Sequence, residues 1–161
     1  MRDGRRIHLV DVENLVGHAH LAREDVARCA DAYRGLGVLG PRDLVVVGCH
    51  PAERLAVGLG WGGPLRIVGR RGPDGADLAL MDVLAHERVD RRFADLVIAS
   101  GDGAFAEPVR RLARRGLRVT VVAPVRSVGR RLRSVAGLAL VPFPVLGRAG
   151  RDGRGGLVPA A

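Results

Sequence analysis

Three aspartates in this sequence stand where apolar runs end or helices begin, and that placement makes them candidates for chemistry. Residues 94–105, ADLVIASGDGAF, carry an apolar run that breaks into Ser-Gly-Asp-Gly before a helical pattern starts. Such a run reads as a buried strand delivering the Asp102 carboxylate to a sheet edge. In open α/β sheets ligands bind in the crevice beyond the carboxyl ends of the strands, so an acid just past such an end is placed for chemistry more than for folding. Asp11 arrives as a second apolar run, RIHLVDV (6–12), comes to its end, and is costly to bury unless something neutralises it. Asp77 comes from a helix: with Leu80, Met81 and Leu84 it falls at i, i+3, i+4 and i+7, which aims its carboxylate at the top of the sheet. Asp82 is rotated off that line and reads as solvated.

Three carboxylates converging in one cleft repel one another. A hard divalent cation, Mg²⁺ or Mn²⁺ held by a few carboxylates and waters, resolves that repulsion. Such an ion can generate hydroxide from water and polarise a phosphoryl oxygen, the chemistry of phosphodiester hydrolysis. Asp11, Asp77 and Asp102 are therefore the candidate catalytic and metal-holding residues, and Asn14, Ser100, Arg70, Arg71 and Ser127 the candidate substrate contacts. Each has an ordinary alternative: Asp77 and Asp102 as helix caps or turn residues, Ser100 and Asn14 as local hydrogen-bonding groups. No nucleophile stands beside a base at recognisable spacing. His18 and His20 form only an i, i+2 pair, a weak signal for zinc.

The elements that must position these residues follow from periodicity. Strands are expected at Arg6–Val12, Asp43–Cys49, Leu65–Val68, Ala94–Ala99, Leu117–Ala123 and Leu138–Val141, and Asp43–Cys49 is too uniformly apolar to leave one face in water. Between them fall a helix reaching Gly37, a short glycine-interrupted one from Pro51 with Trp61 as a packing residue, and one over Ala76–Glu87. A further helix carries Phe105, Val109 and Leu112, with Arg110, Arg111, Arg114 and Arg115 outward, and Ser127 caps a short arginine-rich one. Alternating strands and helices predict an α/β fold, a parallel sheet with helices on both faces. If strands one and four are neighbours where the winding reverses, Asp11 and Asp102 face each other across one crevice.

The 161 residues, 47% hydrophobic and 27% charged, suit one globular domain. Aromatics make up only 3%, so the core must be Val, Leu, Ile and Ala. Residues 1–145 are expected to form the domain and 146–161 a disordered Gly/Arg-rich tail. The formal charge of +9 comes from arginine without lysine, which suggests a polyanionic partner and equally suits the codon bias of a GC-rich genome. Cys29 and Cys49 read as reduced core thiols. The start, MRDGRRIHLV, has no hydrophobic run of signal-peptide length, and no run approaches a membrane span, so a cytoplasmic protein is expected.

The segments DVENL (11–15), GADLALMDVL (75–84) and SGDGAFAEPVRRLARRGLRVTVV (100–122) resemble those of the NYN domain, a branch of the PIN-like nuclease superfamily. The resemblance extends in order and spacing to about Val141. It implies a three-layer Rossmannoid fold with a central, mainly parallel sheet of five to six strands. It also implies a Mg²⁺- or Mn²⁺-dependent endoribonuclease acting on RNA, with Asp11, Asn14, Asp77 and Asp102 in the matching acidic and polar positions. One position departs: the family usually reads Ser-Gly-Asp-x-Asp-Phe, and here Ala104 replaces the second acid, with Glu13 or Glu107 available to compensate. The alternative is a catalytically weakened or inactive RNA-binding module; a nucleotide phosphohydrolase would want a phosphate loop that the sequence lacks. A homodimer is left open.

Overall fold

The computed structural model describes residues 3–147. The expected tail lies outside the described residues from 148 onward. Six strands, β1 (Asp3–Asp11), β2 (Leu44–Gly48), β3 (Arg66–Val68), β4 (Phe93–Ala99), β5 (Arg118–Ala123) and β6 (Ala139–Pro142), form one sheet in the order β3-β2-β1-β4-β5-β6. Every pairing is parallel. The winding reverses between β1 and β4, as the sequence reading required.

Parallel strands buried on both faces need apolar side chains on both, and β1 supplies them by strict alternation. Ile7 and Leu9 pack with Leu96 and Ile98 of β4 on one face; Val10 packs with Val97 and Ala99 on the other. The first face is covered by α4 (Gly75–His86), α5 (Val89–Arg92), α6 (Ala106–Arg114) and α7 (Arg130–Arg133); the second by α1 (Val12–Val16), α2 (Arg23–Gly35) and α3 (Arg54–Trp61). Asp11 shares the parity of Ile7 and Leu9, so it ends β1 on the α4 side, where Asp77 sits in the first helical turn.

Several boundaries differ from the sequence reading. The helix expected to run through Gly37 is two: Gly17, at φ +89°, ends α1, and the chain turns before α2 begins. The apolar spacing of Val26, Ala30 and Tyr33 that suggested a single helix lies wholly within α2. The short α5 was not expected. Ser127 is not the cap of α7; that place is taken by Gly129, while Ser127 ends a 3₁₀ turn with its hydroxyl donating to the Pro124 carbonyl at 2.8 Å. Trp61 is buried against Tyr33, ring centroids 6.0 Å apart, in its expected packing role.

One polar group lies inside the second face. His8 is fully buried on β1, with Nδ1 2.7 Å from the Tyr33 hydroxyl and Nε2 3.1 Å from Asp43 Oδ2. Asp43 also accepts the backbone N–H groups of Arg6 and Gly40, which ties the start of β2 to β1. Burial lowers the His8 pKa, with Asp43 pulling the other way. Because an unpaired buried nitrogen costs its full desolvation, Tyr33→Phe is expected to destabilise the fold by about 1–3 kcal/mol. Urea unfolding measures it.

Candidate active site

The carboxyl edge of β1 and β4 collects the acids. Val10 pairs with Ala99 across the two strands, so Asp11 and Ser100 leave the sheet side by side. Ser100 is fully buried, and its hydroxyl does two jobs: it donates to Asp11 Oδ2 at 3.2 Å and accepts the Asp102 N–H at 3.2 Å. Asn14 closes the loop from below, its Oδ1 accepting the Gly101 N–H at 3.0 Å while its own N–H donates to Asp11 Oδ1 at 3.2 Å. Gly101 has no room for a side chain, since a Cβ there would stand 2.4 Å from the Ser127 carbonyl. The chain leading into α7 is fastened to the same loop by the Gly129 N–H, which donates to the Gly101 carbonyl at 2.8 Å.

Asp11 and Asp102 are also local caps. Asp11 caps α1, and Asp102 caps a 3₁₀ turn over Gly103–Phe105 by accepting the Ala104 N–H at 2.8 Å. The cap and the site are not rival readings here: capping fixes each carboxylate while the sheet topology brings it to the edge. Asp77 is not a cap; Asp74, at φ 55°, precedes α4 without a side-chain cap bond, and Asp77 stands in the first turn.

Asp77 lies between the other two and interacts with both. Burial, together with the hydrogen bond to Asp11 and the charges of Asp11 and Asp102, pushes its carboxyl up to about 8. Burial also raises Asp11, against the opposing donation from Asp77, Asn14 and Ser100. Asp77 and Asp11 thus form a pair that keeps a proton more tightly than ordinary carboxyls do. Asp77 Oδ1 is buried, and no N–H or O–H group among the described residues satisfies it. A buried carboxylate oxygen without a donor, flanked by two further carboxylates, fits a small hard cation. Among the described residues, however, no group of three or more His, Cys, Asp or Glu side chains is placed to hold a metal ion together. Mg²⁺ does not demand such a group, since it binds through one or two carboxylates with water and substrate phosphate completing its shell.

A cavity of about 550 Å³ opens from Asp11 and Asp77 toward Glu13, His20, His50 and Glu53. Glu13 accepts the His50 N–H at 2.8 Å, which binds the start of α1 to the turn after β2. Of the two acids that could stand in for the one missing at Ala104, Glu13 lines this cavity, whereas Glu107 is exposed on α6 and paired with Arg110.

The expected substrate contacts separate. Asn14 lines the cavity with its Nδ2 donors left over. Ser100 sits behind the acids, so its hydroxyl orients them and does not face substrate. Arg70 pairs with Asp82 at 2.9 Å, on a different cavity wall; Asp82 is an ion-pair partner, not merely solvated. Arg71 is exposed on the loop before α4, and Ser127 is exposed beside the Gly101 loop. Arg111 and Arg115 line a cavity with Arg88 and Arg91 near the start of β4, at the opposite end of that strand from Asp102. Sequence reasoning missed His50 and the cavity around it. The signal was available, because His50 lies two residues beyond the end of β2, the same kind of position that singled out Asp102.

A solved crystal structure of a Vibrio parahaemolyticus protein of unknown function has the same fold, with a TM-score of 0.53 at 20% identity over 88% of this chain and 96% of that one. Comparison with curated proteins gives no significant match. The family model of the NYN domain matches residues 69–140, a span that holds Asp77, Ser100 and Asp102. Asp11 and Asn14 lie outside that span and join the site through the β1–β4 pairing. The resemblance read from the sequence is thus matched over residues 69–140, which carry the features of the NYN domain, a family of PIN-like nucleases.

Proposed function

We propose that the chain is a metal-dependent endoribonuclease that hydrolyses RNA phosphodiester bonds. The observation that carries this reading is Asp77, a half-buried carboxylate that interacts with Asp11 and Asp102 and whose buried Oδ1 no group among the described residues satisfies. Asp77, Asp11 and Asp102 are the residues that would hold Mg²⁺ or Mn²⁺, which supplies a reactive hydroxide from water and neutralises charge on the phosphodiester. The chain's own contribution is to hold these acids in place. Ser100 and the Asn14 carbonyl set Asp11 and the Asp102 loop in advance, so little reorganisation accompanies substrate binding. Asn14 Nδ2 and the exposed arginines of the chain entering and forming α7, Arg126, Arg130 and Arg131, are the groups available for the RNA backbone. Two buried cysteines in no disulfide, Cys29 and Cys49, suit cytoplasmic residence.

A second reading follows from Ala104, exposed in the turn that Asp102 caps, where the family pattern has an acid. There the chain binds RNA and cleaves it slowly or not at all. One assay separates the two: cleavage of single-stranded and structured RNA with Mn²⁺ by the wild type, Asp102→Asn and Ala104→Asp. The nuclease reading expects wild-type cleavage that falls about 100-fold or more in Asp102→Asn and rises on the order of tenfold in Ala104→Asp. Salt-sensitive RNA binding with no cleavage by the wild type or Ala104→Asp would leave the binding module.

A further inference from the structure

The charges around the acidic site are divided. On one side of Asp102 stands α7, where Arg131 Cβ lies 3.8 Å from the position a Cβ on Gly103 would take, and Arg130 and Arg126 are exposed nearby in sequence. On the other side lies the cavity of about 550 Å³, which has no arginine on its wall. Its polar lining includes Glu13, Glu53 and Asp74, besides Asp11 and Asp77. A phosphate entering the far part of this cavity, past Asn14, would meet Glu53 and Asp74 with no arginine to offset them, so that part disfavours the nucleic-acid backbone and leaves the phosphate to the Asp11 and Asp77 end. Its remaining wall is small and apolar, including Ala19, Ala52, Pro73 and Ala76. A concave, mostly apolar site of this size with a few directed polar groups suits a flat, neutral, heteroaromatic ligand.

His50 gives the cavity a donor of defined direction. The Ala52 N–H donates to His50 Nδ1 at 3.2 Å, which makes Nδ1 the acceptor and places the ring proton on Nε2 in the neutral imidazole. The backbone of the same residue is pinned by Glu13, so ring and loop are both fixed. Nε2–H is then a donor for a base carbonyl or ring nitrogen, while Glu53, Asp74 and the second Glu13 oxygen are acceptors for an exocyclic amine. Carboxylates pair with the amino group of cytosine in this way.

We propose that this cavity seats an unstacked nucleobase next to the scissile phosphate, with His50 as its hydrogen-bond donor and the neighbouring carboxylates selecting amino-bearing bases over uracil. The proposal rests on the nuclease reading for the identity of the polymer, and on the cavity alone for the base. It favours single-stranded RNA, whose bases need not be pulled out of a duplex.

Uncharged nucleosides test the cavity without cleavage and without metal. Saturation-transfer NMR on the full chain with cytidine, adenosine, guanosine and uridine is expected to show base-proton contact, weakest for uridine. Ala52 is exposed, so Ala52→Trp fills the cavity without disturbing the core and is expected to weaken cytidine binding about tenfold or more; His50→Ala weakens it severalfold. Thermal unfolding of both variants checks that the fold is kept. Absence of base contact in the wild type, or equal cytidine binding by Ala52→Trp, overturns the proposal. RNA cleavage in Mn²⁺ separates this from the reading beneath it. Cleavage unchanged in Ala52→Trp keeps the nuclease and removes the base site. Nucleoside binding that Ala52→Trp abolishes, in a chain that cuts no RNA, keeps the base site and removes the nuclease.

Discussion

Asp77→Asn is expected to make the protein more stable above neutral pH and, on the proposed nuclease reading, to lower RNA cleavage severely. The stability half follows from proton bookkeeping. Asp77 has an unfolded-state pKa near the ordinary aspartate value of 3.8 and a folded-state value raised to about 8, so between these the native state binds more protons than the unfolded chain. Stability contributed by that proton is present in full below about 4 and is lost as pH rises toward about 8. An asparagine carries no charge to lose and offers N–H donors toward Asp11, so its unfolding free energy is expected to be flatter across this window. Since Asp77 is only partly buried, solvent screening reduces the gain to roughly 1 kcal/mol at pH 8.5. Thermal or urea unfolding from pH 5 to 9 without divalent ions measures the slope. The same substitution removes the central carboxylate, and cleavage is expected to fall about 100-fold or more. A variant gaining stability while losing activity separates a functional acid from a structural one. His8 acts with the opposite sign, since its folded pKa is lowered and acidification below about 6.5 erodes stability through it.

Gly75→Ala is expected to cost more than any exposed substitution near the site. Gly75 opens α4, and a Cβ there would lie 2.0 Å from the Arg70 carbonyl oxygen and 2.8 Å from its carbon. Both atoms are backbone, so the loop between β3 and α4 must move as a body. An overpacked methyl at such a contact costs about 1–3 kcal/mol. The displacement also carries Asp77 away from Asp11 and Asp102, and a shift of about 1 Å at a reacting centre can cost on the order of 100-fold in rate. Unfolding midpoints and cleavage rates should both fall in Gly75→Ala. Gly4→Ala, which meets nothing within 4 Å, should leave both unchanged.

Much of this architecture was legible because the chemistry and the folding signals coincide. Asp11 and Asp102 each follow an apolar run, and strand periodicity with the β1–β4 neighbourhood puts both at one edge. Asp77 was legible from helical spacing alone, because Leu80 and Leu84, buried on the same stripe, fix which way the first turn points. What escaped were features decided by conformations that periodicity does not encode. Gly17 turns left-handed and splits one apparent helix into two, while Gly129 displaces Ser127 as the cap of α7. Arg70 was read as a substrate contact because it precedes the acidic helix, yet only the folded loop reveals its pairing with Asp82. Ser100 was legible as a site residue but not as one facing inward, since a hydroxyl at a strand end points either way until the neighbouring strand is known.

The acids also come from distant parts of the chain: Asp11 ends the first strand, whereas Asp102 follows the fourth. During synthesis, the first hundred residues can collapse around β1 and β2 yet lack the third carboxylate. An emerging polypeptide therefore has no complete site until Asp102 has been made and β4 has docked beside β1.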